Sequence, residues 1–394
     1  MQGVRQLSTM TIVKTEARSV PKLELVDLYE GFRNPEVIRA FAARIAQKAQ
    51  KLEKTFRIME VCGGHTHTLM KYGLTQLLPA NVEFIHGPGC PVCIMPKERV
   101  DHAYTLVMMP DVILVTLGDM IKVPGSLGSL QDARARGADV RYVYSPLDVL
   151  AIARENPAKK IIFFAIGFET TTPMTAALLE ALIAQGIENV ALHINHVTVP
   201  QAMHLLLADG QSAIDAFVGP SHVSVITGSK IYAPFPRDYG TPVVVAGFEP
   251  VDMMEAIEML IDQRLEGRSD LEVQYKRLVS FEGNVRAQSM VERYMEPREH
   301  FRWRGIGDIA QSALKLRAQF AAYDAEVLYA SILPNTPIDD HRLCICGTIL
   351  RGQAKPHDCK VFGTACKPSS PLGSCMVSSE GACAAYYRYG TLKM

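Results

Sequence analysis

A series of short apolar runs, most of them closing on a glycine- or proline-bearing turn, does most to limit how this 394-residue chain can fold. Residues 56–61 end at Cys62-Gly63-Gly64, residues 82–85 at Gly87-Pro88-Gly89-Cys90, 112–117 at Gly118-Asp119 and 140–144 at Ser145-Pro146. A second series follows over 160–166, 190–194, 216–218 and 243–246. Segments long enough for helices separate them. Strands alternating with helices predict parallel sheets joined by crossovers.

The expected architecture is therefore α/β: two Rossmann-like parallel-sheet domains facing a central cleft, followed by a Cys-rich module. The expected divisions are a leader over 1–20, domain I over 21–156, domain II over 157–250 and a C-terminal helical and Cys-rich region over 251–394. Helical spacing of Val37, Ile38, Phe41, Ile45, Ala46, Ala49 and Leu52, with Asn34 ahead of Pro35, predicts a capped helix at the start of domain I. The paired Gly167-Phe168-Glu169 and Gly247-Phe248-Glu249 hint at a structural pseudo-repeat.

Composition narrows the function. Lys plus Arg equals Asp plus Glu, at 41 each, which leaves no basic excess to neutralise nucleic-acid phosphates. Small molecules or proteins are the expected partners. The longest apolar runs, such as 112–117 and 161–166, fall far short of the roughly 20 residues that a membrane helix needs. The first residues carry Arg5, Lys14 and Arg18 and no continuous apolar core. A flexible leader and a cytoplasmic location are expected.

Nine cysteines lie in two groups, Cys62, Cys90 and Cys93, then Cys344, Cys346, Cys359, Cys366, Cys375 and Cys383. In a chain this long, without a secretion signal, such clustering points to metal or redox chemistry rather than to disulfide staples. The unusual polar motifs begin where predicted strands end, which is where parallel sheets bind ligands.

Cys62 followed by two glycines suits a thiolate above a helix N-terminus, whose amides would lower its pKa and make it a soft metal ligand. His65 and His67 add imidazoles that ligate, carry protons or orient the thiolate. A buried structural cysteine beside two turn histidines fits those residues equally well. Cys90-Pro91-Val92-Cys93 has the spacing of dithiols and of metal knuckles; with no second close pair, a dithiol/disulfide is the better functional reading. Glu169 and Thr170 to Thr172 either cap a helix or face a ligand. His193, Asn195, His196 and His222 either line the second domain's cleft or end strands and turns.

The six C-terminal thiols exceed the four that a [4Fe-4S] cluster needs. Structural zinc usually shows two tight pairs, whereas only Cys344 and Cys346 are close in sequence. An iron–sulfur cluster is expected, with spare thiols free to exchange electrons with it or with Cys90 and Cys93.

Four motifs, CGGHTH over 62–67, GPGCPVC over 87–93, GFETTTP over 167–173 and CMVSSEGAC over 375–383, together resemble the HypD family. The likeness covers all but about residues 1–17, and Leu117 stands where an aromatic residue is expected. The resemblance implies a scaffold on which the Fe(CN)2CO group of [NiFe]-hydrogenases is assembled, with a HypC-type chaperone and a HypE-type cyanide donor. A hydrogenase large subunit would be served indirectly. It implies that Cys62 holds the iron carrying cyanide and carbonyl ligands, that a partner cysteine holds it too, and that histidines such as His65 orient or carry protons. Cys90 and Cys93 match the family's dithiol, and Glu169 lies in a family motif.

A [4Fe-4S] cluster on Cys344, Cys359, Cys366 and Cys383 is implied, with Cys346 or Cys375 as possible substitutes. The arrangement resembles ferredoxin:thioredoxin reductase. Two other classes are an iron–sulfur-dependent thiol-disulfide oxidoreductase acting on a protein partner, in which Cys62 binds no iron, and a zinc-stabilised binding module.

Overall fold

The computed structural model describes residues 27–208 and 213–390. The leader expected over 1–20 lies outside the described residues. Two parallel sheets organise the chain. The first has the order β2-β1-β7-β8-β9, with β1 Phe56–Glu60, β2 Val82–His86, β7 Ala216–Pro220, β8 Val243–Ala246 and β9 Leu271–Val273. The second has the order β4-β3-β5-β6, with β3 Val112–Leu117, β4 Asp139–Val143, β5 Lys160–Gly167 and β6 Val190–His196.

Side-chain alternation explains why both sheets form. In the first, Ile58, Val218, Val244 and Ala246 enter one core, shared with Ile45 and Ile257 of the helices Pro35–Ala49 and Pro250–Leu265. Their neighbours Met59, Phe217, Val243 and Val245 enter a core on the other face, with Tyr232, Phe235 and Trp303. A strand apolar on both faces is stable only when both are covered, and crossover segments supply the covers. The helix expected at the start is present as Pro35–Ala49, with the Asn34 side chain accepting the Glu36 N–H at 2.9 Å.

The division of the chain differs from the expected one. After β2 the chain leaves the first sheet, builds β3 to β6 consecutively in the second, and returns with β7. Asn156-Pro157 thus falls inside the second sheet, because β5 pairs with β3. Pro250–Leu265 and β9, expected to open the C-terminal region, belong to the first sheet. A return of the chain toward the first domain is expected only after Gly247, whereas it comes earlier, with β7, because a crossover can deliver its strand to either neighbouring sheet.

Beyond β9 come the helix Val285–Tyr294 and two small antiparallel pairs, 295–297 with 314–316 and 300–303 with 307–310. From Leu343 onward the chain makes short turns and helices around the cysteines, closing with the helix Ala382–Tyr389. Among the described residues no helix is long and apolar enough to cross a membrane.

Candidate metal and thiol centre

Cys62 lies just past β1, in extended conformation, as the N-cap of the helix Gly63–Lys71. The amides of Gly64 and His65 point at its sulfur. The GPGCPVC loop is pressed against it: the Gly63 N–H donates to the Gly89 carbonyl at 2.9 Å, and a Cβ on Gly89 would stand 2.2 Å from the Cys62 nitrogen. Only glycine admits that approach.

Beneath Cys62 lies Glu60, fully buried. Its Oε2 accepts the Cys62 N–H at 3.0 Å; its Oε1 accepts the Thr66 hydroxyl and the His86 Nδ1–H, the latter at 2.7 Å. In that tautomer His86 Nε2 accepts the Tyr386 hydroxyl proton at 3.1 Å. Tyr386 shares the helix Ala382–Tyr389 with Cys383, so one chain of hydrogen bonds joins the Cys62 loop to the cysteine-rich end. Burial pushes the Glu60 carboxyl above the ordinary range, opposed by His86, Thr66 and the Cys62 amide.

The expected lowering of the Cys62 pKa is corrected by these neighbours. The Gly64 and His65 amides do favour the thiolate, but desolvation, the Glu380 carboxylate and Glu60 outweigh them and raise the pKa well above that of a free thiol. Glu380, from the CMVSSEGAC motif, packs against Gly63 and feels Asp119 in turn. A helix N-terminus biases a thiol by about 1 kcal/mol, less than burial beside two carboxylates. The surroundings therefore favour the protonated thiol.

His65 is buried, and its Nε2 faces the Ala246 and Gly247 carbonyls at 3.2 and 3.1 Å. That fixes the proton on Nε2 and leaves Nδ1 as an acceptor without a partner. Burial lowers its pKa to about 4, so the ring is neutral at physiological pH. Phe248 stacks on His65 and also meets the His222 ring, which brings His222 to this site. His67 stands edge-on to Tyr389.

Glu169, just past β5, accepts the Val199 N–H at 3.0 Å on Oε1, while Oε2 has no partner; burial pushes its pKa up to about 7. The Tyr232 hydroxyl is likewise buried without an aligned partner and feels both Glu169 and Cys62. Tyr232 thus connects the ends of the two sheets.

The remaining strand-end residues are elsewhere. Asn195 donates to His193 Nδ1 at 3.0 Å, His193 Nε2–H donates to His102 Nδ1 at 3.0 Å, and His102 Nε2–H donates to the Pro334 carbonyl at 2.7 Å. Glu326 sits between Arg99 and Arg298. His102, His193 and Glu326 present their ligand atoms within 4.8 Å of one another, but all four ring nitrogens are hydrogen-bonded and each Glu326 oxygen already pairs with an arginine. This is a structural network. His196 is tied to the Thr175 hydroxyl at 2.8 Å.

The dithiol is buried. Cys93 N–H donates to Cys90 Sγ at 3.3 Å, and the Ser374 hydroxyl donates to the Cys93 carbonyl. Cys375, fully buried, sits in hydrogen-bonding contact with the thiols of both Cys93 and Cys346. Those two donors lower its pKa to about 6, while burial raises that of Cys93. Cys346 in turn contacts Cys344 and Cys383, with Cys366 within electrostatic reach. A Cβ on Gly373 would lie 2.6 Å from Cys344 Sγ and 2.8 Å from Cys346 Sγ, so this glycine lets the chain pass the sulfurs. Cys359 is at the edge, its thiol facing the Leu343 carbonyl at 3.7 Å.

No three of these sulfurs lie within 4.8 Å of one another, whereas a tetrahedral zinc site would hold its sulfurs at about 3.8 Å.

The family model described as "Hydrogenase formation hypA family", HypD, matches residues 36–390. The chain belongs to the HypD family. A hydrogenase expression/formation protein HupD of Azotobacter chroococcum mcd 1 is 51% identical over 367 residues, covering 92% of this chain and 96% of that protein. The hydrogenase maturation factor HypD of Azotobacter vinelandii is equally similar, at 51% over 367 residues, 92% of this chain and 96% of the relative. The HypD of Escherichia coli K12 is 44% identical over 364 residues, 91% of this chain and 97% of that one. The match takes in the Cys62 loop, the dithiol and all six C-terminal cysteines, so the HypD resemblance read from four motifs extends to the whole described thiol centre.

Glu60, His86, Tyr232, Glu380 and Tyr386 escaped sequence reasoning. Two of them left a signal: Glu60, a carboxylate in a largely apolar strand two residues before the key thiol, and Glu380, which lies inside the CMVSSEGAC motif.

Proposed function

We propose that this HypD-family chain acts in hydrogenase maturation by holding, on Cys62, an iron cargo that receives cyanide and carbonyl ligands. A HypC-type chaperone would give the second thiolate and a HypE-type protein the cyanide. The contact of Gly89 with the Cys62 backbone carries this reading most, because it sets a dithiol loop beside a thiol poised to exchange its proton for a metal. A cavity of about 300 Å³ lies along the helix Gly63–Lys71 that follows Cys62, lined in part by Gly64, His67, Phe248, Ser379 and Glu380, and would receive a partner's segment.

Cys344, Cys359, Cys366 and Cys383 would hold a [4Fe-4S] cluster. When bound, it would supply electrons one at a time. The support is the inner position of the other two thiols: Cys375 touches Cys93, and Cys346 touches Cys375. Cys375, whose pKa the Cys346 and Cys93 thiols lower, would exchange with the Cys90/Cys93 pair, and Cys346 would link Cys375 to the outer four. His65 would stay neutral and orient the Cys62 loop, while Glu169, near neutrality in pKa, would hold or release a proton at Oε2.

Two assays test the reading against a plain thiol-disulfide oxidoreductase. Iron and acid-labile sulfide should survive Cys375→Ser and fall in Cys366→Ser. Hydrogenase maturation should be lost in both Cys62→Ala and Cys90→Ser; full maturation by Cys62→Ala would favour the oxidoreductase.

A further inference from the structure

The second sheet has one edge covered and one open. At β6 the outer side is taken by bridges, Leu192 with Asp324 and Val197 with Ala313. At the opposite edge β4 pairs with β3 alone, over Asp139 to Val143. Among the described residues no other segment hydrogen-bonds to the backbone of β4. Its outward N–H and C=O groups are free to pair with another strand.

Tyr142 and Tyr144 stand on that edge, 50% and 92% exposed, their rings edge to face with centroids 6.2 Å apart. Beside them a cavity of about 440 Å³ lies between β4, the turn Gly118–Lys122 and the helix Leu130–Ala135. Its floor is apolar, made by Ile121, Leu130 and Val140 of the core beneath. Val140 and Tyr142, two residues apart, present the same face of the strand. A free strand edge with a cavity along its side-chain face is what an added strand needs, backbone pairing from the one and a place for a side chain in the other.

Charge selects the strand. Lys122 and Arg134 line the cavity, and no carboxylate lines it with them. Both are exposed, and neither forms an ion pair among the described residues. The nearby acids are engaged elsewhere, Asp132 by the Ser129 N–H and hydroxyl and Asp139 by Arg141 and Lys159. We propose that β4 receives an added strand from a partner protein, an extended acidic segment in which an apolar side chain fills the cavity and a carboxylate meets Lys122 and Arg134.

The open edge lies next to a segment that leads to the thiol loop. β3 ends at Leu117, opposite Val143, and runs on into Gly118–Lys122. That turn carries Asp119, whose charge acts on Glu380, the residue packed against Gly63. A partner anchored on β4 is held beside this segment, whatever Cys62 binds.

The test uses the full chain, kept anaerobic at constant ionic strength, and a short fluorescent peptide of alternating Val and Glu, read by anisotropy. Two counterparts accompany it, one with Lys for Glu and one with alternate backbone nitrogens methylated. Saturable binding of the Glu peptide is expected, weakened about tenfold in the double variant Lys122→Gln/Arg134→Gln, as two exposed charge pairs imply. Methylation, which removes backbone donors and keeps the side chains, is expected to weaken it by about tenfold or more. Both substituted residues are exposed, so the variant keeps its fold. No saturable binding, equal affinity for the Lys or the methylated peptide, or unchanged affinity in the double variant would overturn the proposal. So would self-association of the chain that Tyr142→Ala abolishes, since a second copy would then be the occupant.

Discussion

The carboxylate of Glu60 accepts the backbone N–H of Cys62 at 3.0 Å from a position with no solvent exposure. The same carboxylate holds Thr66 and His86, so the residue that fixes the thiol loop also anchors the helix that follows and the strand beside it. Removing it strands three donors in the interior. Glu60→Ala is expected to lower the unfolding free energy by about 3–5 kcal/mol, measured by urea denaturation. A loss below about 1 kcal/mol would mean that the network does not hold the loop.

Glu380 is expected to control the reactivity of Cys62. Its carboxylate repels the thiolate, so Glu380→Gln should lower the Cys62 pKa and speed alkylation by iodoacetamide at pH 8 by about tenfold, one pKa unit. Peptide mass spectrometry reads the rate at Cys62 alone. An unchanged rate would mean that burial, not charge, sets the thiol's acidity.

Glu169 should leave a mark on the pH dependence of stability. Its folded pKa, about 7, lies above the unfolded value near 4.5, so the folded state binds the extra proton between them. The contribution to stability is present below about pH 4.5 and is lost as pH rises to about 7. Glu169→Gln, which keeps an acceptor for the Val199 N–H, should gain stability relative to the wild type between pH 5 and pH 8, by up to about 3 kcal/mol. A gap that stays constant across that range would refute the shift.

The legibility of the chain was uneven. Strand positions were plain, because uninterrupted runs such as Val112–Leu117 and Lys160–Gly167 leave few alternatives. Their assignment to sheets was hidden, since it depends on which neighbour β5 and β7 pair with, and no local pattern encodes that. Cysteine spacing exposed the thiols as a group. The bridging position of Cys375 was not readable, because it arises from Ser374 and Cys375 folding back on a loop nearly three hundred residues earlier, at a Cys93–Ser374 separation of 281. The pKa of Cys62 was misjudged for the same reason: the helix amides were local and visible, whereas Glu380 was distant in sequence.

Cys375 is expected to be the thiol that meets the dithiol. With Cys90 replaced by Ser, mild oxidation should trap a Cys93–Cys375 disulfide, detectable by peptide mapping, since Cys375 touches Cys93 and the Cys346 and Cys93 thiols lower its pKa toward the thiolate. Trapping of Cys93 with any other cysteine would break the proposed order of exchange.

Infrared spectroscopy of the chain purified anaerobically with a HypC-type partner tests the central claim most directly. Cyanide and carbonyl stretching bands are expected in the wild type and absent from Cys62→Ala at equal partner loading. Bands of undiminished intensity in Cys62→Ala would contradict the assignment of Cys62 as the iron anchor.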